Sequence, residues 1–132
     1  MIEYLLDSDV AIYIMNRRFL AAAERLTDVI DRVGLSAIAY GKLAFGMEYS
    51  QRKDDNLAAL AAFVEPLQIV PFGPEAALHY GQIRTELQRQ GTPIGSNDML
   101  IAAHARSLDV TLVTNNRREF DRIPGLKVEN WV

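Results

Sequence analysis

Ile2-Glu3-Tyr4-Leu5-Leu6-Asp7-Ser8-Asp9 is a short apolar-rich run that stops abruptly on acids. It has the length and content of a buried strand, with carboxylates placed at its carboxyl end. Its counterpart lies far along the chain. Val110-Thr111-Leu112-Val113-Thr114 is β-branched and apolar, the best strand signal in the chain, and it runs into Asn115-Asn116. Between them the pattern changes to longer amphipathic stretches. Val10 to Met15 and Phe19 to Asp31 read as helices, the second with Leu20, Ala23, Leu26, Thr27 and Ile30 on one face. Val33-Gly34-Leu35 reads as a short strand. Ser36 is the N-cap of a helix through Tyr49, and Asp54 or Asp55 caps another through Val64. Leu67 to Val70, set between Pro66 and Pro71, reads as a strand. Pro74 opens a helix to Gln90 that Gly91 and Pro93 stop. Ser96 or Asn97 caps a helix through Ser107, and Lys127 to Trp131 reads as a last short strand.

Strands separated by helices make βαβ units, hence an α/β fold with a mainly parallel sheet covered on both faces. In such sheets ligands sit beyond the carboxyl ends of the strands. Asp7 ends the first strand, Thr114-Asn115-Asn116 end the fourth, and Asp98 opens the helix that feeds the fourth. Three polar points from distant sequence are therefore expected on one edge.

Composition narrows the class. With 132 residues, 49% apolar and 23% charged, the chain has the size of one domain, 1–132, large enough to bury a core without staples. It has no Cys, which excludes zinc ribbons, iron–sulfur sites and thiol chemistry and suits a reducing cytosol. Two His make a His-rich metal site a poor expectation, and both His79 and His104 read as structural. No apolar run approaches the roughly 20 residues that cross a bilayer, and no signal peptide is expected, so the expected location is cytoplasmic. A net charge of −3 argues against passive coating of nucleic acid. It does not argue against an enzyme that cuts it, because such a site is itself acidic.

Each candidate residue also has a plain structural reading. Asp7 or Ser8 can cap the next helix, and Asp9 and Asp98 can simply favour positive helix N-termini. Asn115 and Asn116 suit a turn, and Glu119 a solvated surface. Arg17, Arg18, Arg117, Arg118 and Arg122 are either solvated charge or a positive rim for phosphates.

Taken together, the segments Tyr4-Leu5-Leu6-Asp7-Ser8-Asp9, Leu35-Ser36-Ala37-Ile38-Ala39-Tyr40-Gly41, His79-Tyr80-Gly81-Gln82-Ile83-Arg84, Gly91-Thr92-Pro93-Ile94-Gly95-Ser96-Asn97-Asp98 and Val113-Thr114-Asn115-Asn116-Arg117-Arg118-Glu119-Phe120 carry a resemblance. So do Arg122-Ile123-Pro124-Gly125-Leu126 and Glu129-Asn130-Trp131. The chain resembles, end to end, the PIN-domain ribonuclease toxins of the VapC type, from VapBC toxin–antitoxin systems. The resemblance implies an α/β/α sandwich whose acidic cluster binds Mg²⁺ or Mn²⁺ and hydrolyses RNA phosphodiesters, in tRNA and notably initiator tRNA. Mg²⁺ demands hard oxygen ligands and keeps several waters. Carried over by position, Asp7 and Asp98 would hold the metal, and Asn116 falls where many members have a fourth acid. Ser8, Asp9, Thr114, Asn115 and Glu119 would support them. Arg17, Arg18, Arg117 and Arg118 would touch RNA phosphates. The implied partners are RNA, a VapB-type antitoxin and a second copy in a homodimer, with no membrane.

One position departs from the pattern. After Gly41 the family has a metal-cluster Glu, and this chain has Lys42. A protonated lysine cannot coordinate, so Lys42 is expected to pair with Asp7 or Asp98, to compete with Mg²⁺ and to impair catalysis, as a natural or engineered change. The next acid, Glu48, faces another way on the same helix. A silenced chain would remain a toxin-fold module that binds its antitoxin. Apolar strand plus Asp7-x-Asp9 also matches the first motif of haloacid-dehalogenase-like phosphatases. Against that stand the lone Asp98 and a chain too short for a cap.

Overall fold

The computed structural model describes residues 1–132. In chain order the elements are β1 (Tyr4–Leu6), α1 (Ser8–Met15), α2 (Leu20–Asp28), β2 (Val33–Ser36), α3 (Ala37–Tyr49), α4 (Lys53–Val64), β3 (Gln68–Val70), α5 (Pro74–Gln90), α6 (Ser96–Leu108), β4 (Thr111–Val113), α7 (Arg117–Phe120) and β5 (Lys127–Glu129). The strands form one sheet in the order β3-β2-β1-β4-β5, and all four pairings are parallel.

The sheet is covered on both faces. Leu5 and Leu6 point to opposite sides of β1, as do Leu112 and Val113 in β4, and all four are fully buried. α5 packs along α6, α3 along α4, and α1 touches α2, α3 and α4. No helix is long and apolar enough to cross a membrane.

Strand order places the site. β1 neighbours β2 on one side and β4 on the other, so the chain leaves β1 in one direction and returns from the other. That reversal opens a crevice at the carboxyl ends of β1 and β4. Leu6 pairs with Val113, which sets Asp7 beside Thr114.

β2 shows why a glycine stands mid-strand. A Cβ at Gly34 would meet Val70 Cγ2 at 2.8 Å and Ile2 Cδ1 at 3.0 Å. Val70 is stiff and buried, so the strand has no room to give. Gly34→Ala is expected to destabilise the fold by roughly 1–3 kcal/mol, read as a lower denaturant midpoint. An unchanged midpoint would show that the neighbours yield.

Several local expectations need correction. The helix read over Phe19 to Asp31 ends at Asp28, and a separate 3₁₀ turn spans Ile30–Arg32. Its inner face is Ala22, Leu26 and Val29, while Leu20 is 73% exposed. The apolar content of this segment admitted two stripes, and docking chose the one with the smaller residue. Neither Asp54 nor Asp55 caps α4; both lie in its first turn behind Arg52. α6 is entered from Gly95 with no side-chain cap, so neither Ser96 nor Asn97 serves. Ser36 does cap α3, accepting from Ile38 N at 3.1 Å. Its hydroxyl also lies 2.8 Å from His104 Nδ1. With the oxygen accepting from Ile38, the hydroxyl proton is free to donate to a neutral His104. Burial holds that imidazole below its ordinary pKa, the Pro71 carbonyl partly offsetting it. This bond ties β2 to the helix that carries Asp98. His79 accepts from Arg106 Nε at 2.9 Å, away from the acids. Both histidines are packing groups, in line with the sequence reading.

Candidate active site

Asp7 is 4% exposed and does two jobs at once. As N-cap of α1 it accepts from Ser8 N at 2.7 Å, and through its other oxygen it accepts from Thr114 Oγ1 at 2.9 Å. The capping reading and the site reading are therefore both true of it. Its pKa is pushed up from 3.8 to about 6. Burial is the main cause and the Asp9 charge the next; the bonds from Thr114 and Ser8 pull the other way, and Asp98 adds a smaller repulsion.

Asp9 is held by backbone donors. It accepts from Val10 N at 2.6 Å and Asn115 N at 3.1 Å, which fixes the loop after β4 against α1. Burial raises its pKa too, against those bonds and the pull of Lys42. Thr114 is fully buried and organises the junction: its hydroxyl donates to Asp7 and accepts from Asn116 N at 3.0 Å.

Asp98 arrives from the first turn of α6 and caps nothing. Its pKa is also raised, first by burial and then by Glu119, with Lys42 opposing. Glu119 sits on α7, a single turn that the sequence did not announce. Asn116 Nδ2 donates to Glu119 Oε2 at 3.2 Å and steadies it in the neighbourhood of Asp98. Asp7, Asp9, Asp98 and Glu119 therefore share one electrostatic neighbourhood, with Ser8, Thr114, Asn115 and Asn116 forming its frame.

Lys42 lies on the exposed side of α3 and lines the same trough as Ser8 and Asp9. The expected ion pair with Asp7 or Asp98 is absent: Lys42 makes no salt bridge. A compact, strongly hydrated ammonium on an exposed stem gains little by settling onto a carboxylate. It acts by its field, lowering the pKa of Asp9 and Asp98. Glu48 pairs with Lys53 at 3.1 Å and does not replace the missing acid.

The arginines do not form one rim. Arg117 is engaged by Asp121 at 3.5 Å. Arg117 and Arg118 begin α7, beside the cluster, whereas Arg17 and Arg18 follow the far end of α1, about 12 Å along an eight-residue helix. Arg122 is exposed beyond α7.

Sequence reading missed the trough itself. It has a volume of about 570 Å³ and runs between α1, α3 and α4, past Ile12, Met15, Leu43 and Met47. Its only sequence signal was the apolar spacing of α3, which also describes ordinary core: Ala39, Leu43 and Met47 are buried.

A parallel sheet with four acids gathered at its β1/β4 edge is the architecture of a PIN domain, and residues 4–126 match that family. Ribonuclease VapC2 of Haemophilus influenzae is 41% identical over 132 residues, all of both chains. The tRNA(fMet)-specific endonuclease VapC of Salmonella typhimurium is 39% identical, covering 99% of each. The solved structure of DNA-bound VapBC from Salmonella typhimurium superposes over 100% of both chains with a TM-score of 0.96 at 39% identity. The chain belongs to the VapC-type PIN-domain ribonucleases, the toxins of toxin–antitoxin systems. This membership leaves the phosphatase reading without support.

Proposed function

We propose that the site hydrolyses RNA phosphodiesters with Mg²⁺, or Mn²⁺ in its place, and that its substrate is tRNA, initiator tRNA in particular. The observation that carries this is the crowding of Asp7 with Asp9 and Asp98 at a strand-end crevice, at a cost visible in the raised pKa of Asp7. One buried and two half-buried carboxylates near one another, none of them in an ion pair, fit a cation site. No group of three acids stands ready to enclose an ion. Mg²⁺ suits such a site, since it binds through one or two carboxylates and keeps its waters. Asp7 and Asp98 would hold it. When bound, Mg²⁺ would supply charge neutralisation at the phosphate and a more acidic water.

The protein's own contribution is placement. Thr114 and Ser8 N fix the Asp7 carboxylate. Asn116 holds Glu119 near Asp98, where a carboxylate can take a proton from an attacking water. Arg117 and Arg118 stand at the start of α7 for substrate phosphates. Lys42 impairs the reaction: it adds positive charge where the metal binds and removes an oxygen ligand.

The same trough fits an antitoxin segment, with apolar side chains along Ile12, Met15 and Met47 and a basic tip at the acids. Solved relatives are VapBC complexes. Lys42 would weaken that contact by repelling the basic tip. α3 also presents Phe45 and Tyr49, stacked at 5.9 Å and exposed, as a face for a second copy in a homodimer.

The test is a total tRNA pool incubated with Mg²⁺ and the Lys42→Glu chain. A discrete fragment pair from initiator tRNA, lost on adding EDTA, is expected. Cleavage that persists in EDTA would overturn the metal role, and an intact pool the tRNA assignment.

A further inference from the structure

Packing accounts for one edge of the His104 ring and leaves the other. His104 is 1% exposed. Its Nδ1 lies 2.8 Å from the Ser36 hydroxyl, which already accepts from Ile38 N and has its proton to give. Nδ1 therefore accepts, and the neutral ring carries its own proton on Nε2. Nε2 is the one buried side-chain nitrogen or oxygen in the chain without a partner in the protein. The Pro71 carbonyl is near enough to favour the charged ring, yet it is not placed to accept a hydrogen bond of ordinary geometry. Buried donors left in this state are rare and point to an acceptor supplied from outside the fold.

His104 borders a cavity of about 230 Å³ between the first turn of α5 and the last turns of α6. Ser36 takes no part in its wall, so the ring edge presented to the cavity is the Nε2 edge. Two more donors stand in the same wall. α5 is 17 residues long and has no side-chain cap: Gly73 occupies the N-cap position, and Pro74 after it has no N–H. The first backbone bond is made by Ala77 N to Gly73 O. The N–H groups of Glu75 and Ala76 are thus left without backbone acceptors, and Ala76 is only 2% exposed. The positive end of the helix lies at the same place. The wall contains no lysine or arginine, and its one charged side chain is the exposed Glu75. Three uncharged donors beside a rim carboxylate suit a singly charged oxyanion and disfavour a dianion. Pro71, Pro74 and Leu108 offer an apolar wall to the carbon that carries the group.

We propose that the cavity at the start of α5 is a carboxylate-binding site, in which His104 Nε2–H and the N–H groups of Glu75 and Ala76 hold the two oxygens. It shares no residue with the trough beside the acids, and the inference does not depend on the ribonuclease reading.

The experiment is an NMR titration of the nitrogen-labelled chain with sodium acetate, beside sodium chloride at matched ionic strength. The resonances of His104 Nε2 and of the Glu75 and Ala76 amides are expected to shift together and saturate with one affinity in acetate, and not in chloride. Inorganic phosphate, largely a dianion at neutral pH, is expected to bind several-fold more weakly. Gly73→Asp tests the donors without disturbing the core. A Cβ at Gly73 meets nothing within 4 Å, so the new carboxylate is free to cap the same N–H groups from within the chain. This variant is expected to melt at a higher temperature and to lose the acetate response, while Gly73→Ala keeps it. Glu75→Gln removes the rim charge and is expected to tighten acetate several-fold. Acetyl-aspartate-amide in place of acetate reports the source of the group: saturation at the same resonances assigns it to an acidic side chain of a protein, and saturation by acetate alone to a free small acid. Shifts at Glu75 and Ala76 without His104 would reduce the effect to an ordinary helix end and overturn the site. Absence of saturation in acetate would overturn it too, leaving the cavity to solvent. So would phosphate binding as tightly as acetate, or an unaltered acetate response in Gly73→Asp.

Discussion

Lys42→Glu is expected to tighten Mg²⁺ binding and raise cleavage of a tRNA pool by about 10²-fold over the chain as it stands. Lys42 touches no carboxylate, yet its charge is felt at Asp9 and Asp98. Exchanging it for glutamate swings the local charge by two units and adds an oxygen ligand. A unit charge pair at roughly 4 Å is worth about 4 kcal/mol at an effective dielectric near 20. Exposure of the α3 surface and salt screening reduce this, so about 2–3 kcal/mol is a sober figure, and each 1.4 kcal/mol is tenfold in rate. Lys42→Met separates the two parts. It removes the positive charge without supplying a ligand and should fall between the other two. Titration calorimetry with Mg²⁺ beside the cleavage assay checks both. Equal metal affinity and equal cleavage in all three would place position 42 outside the metal site and end the idea that lysine silences it.

Asp7→Asn is expected to make the metal-free protein more stable at neutral pH while removing its response to Mg²⁺. The Asp7 carboxyl has a pKa of about 6 in the folded chain against 3.8 as the ordinary value. Between those values the folded state binds more protons than the unfolded state, so stability falls as pH rises from about 4 to 6 and stays low above. At about 1.4 kcal/mol per pKa unit, the ionised carboxylate costs up to about 3 kcal/mol above pH 7. Asparagine keeps an oxygen for Ser8 N and loses the charge, and giving up the bond from Thr114 takes back only part of that gain. In EDTA, its melting temperature at pH 7.5 should exceed that of the unaltered chain by several degrees, and the two should converge near pH 4. Added Mg²⁺ should raise the melting temperature of the unaltered chain only. Parallel curves from pH 4 to 8 would mean that burial does not strain Asp7. A rise with Mg²⁺ in Asp7→Asn would mean that the metal sits elsewhere.

The proposed site is thus built on groups that work against stability. Asp7, Asp9 and Asp98 all have raised pKa values, each through burial first. A cluster selected for stability would pair these acids with arginines. Here Lys42, the cation whose charge is felt at Asp9 and Asp98, stays unpaired.

Much of this was legible from residue order alone. Alternation of short apolar runs with amphipathic stretches is a local property, written in side-chain periodicity, so the α/β class and the parallel sheet follow from it. The acids that end β1 and open α6 were legible for the same reason: their neighbours define where each element stops. What only the tertiary structure decided is everything that depends on which surfaces meet. Strand order put Asp7 beside Thr114, from 107 positions away in sequence. The packed stripe of α2 became Ala22 and Leu26, because docking weighs shape as well as hydropathy. Glu119 left its ordinary surface role when Asn116 and a one-turn helix carried it to Asp98. Lys42 was chemically conspicuous in the sequence, but its freedom from any ion pair depends on solvent access at α3. Burial, field and reach are properties of assembled surfaces, and no local pattern encodes them.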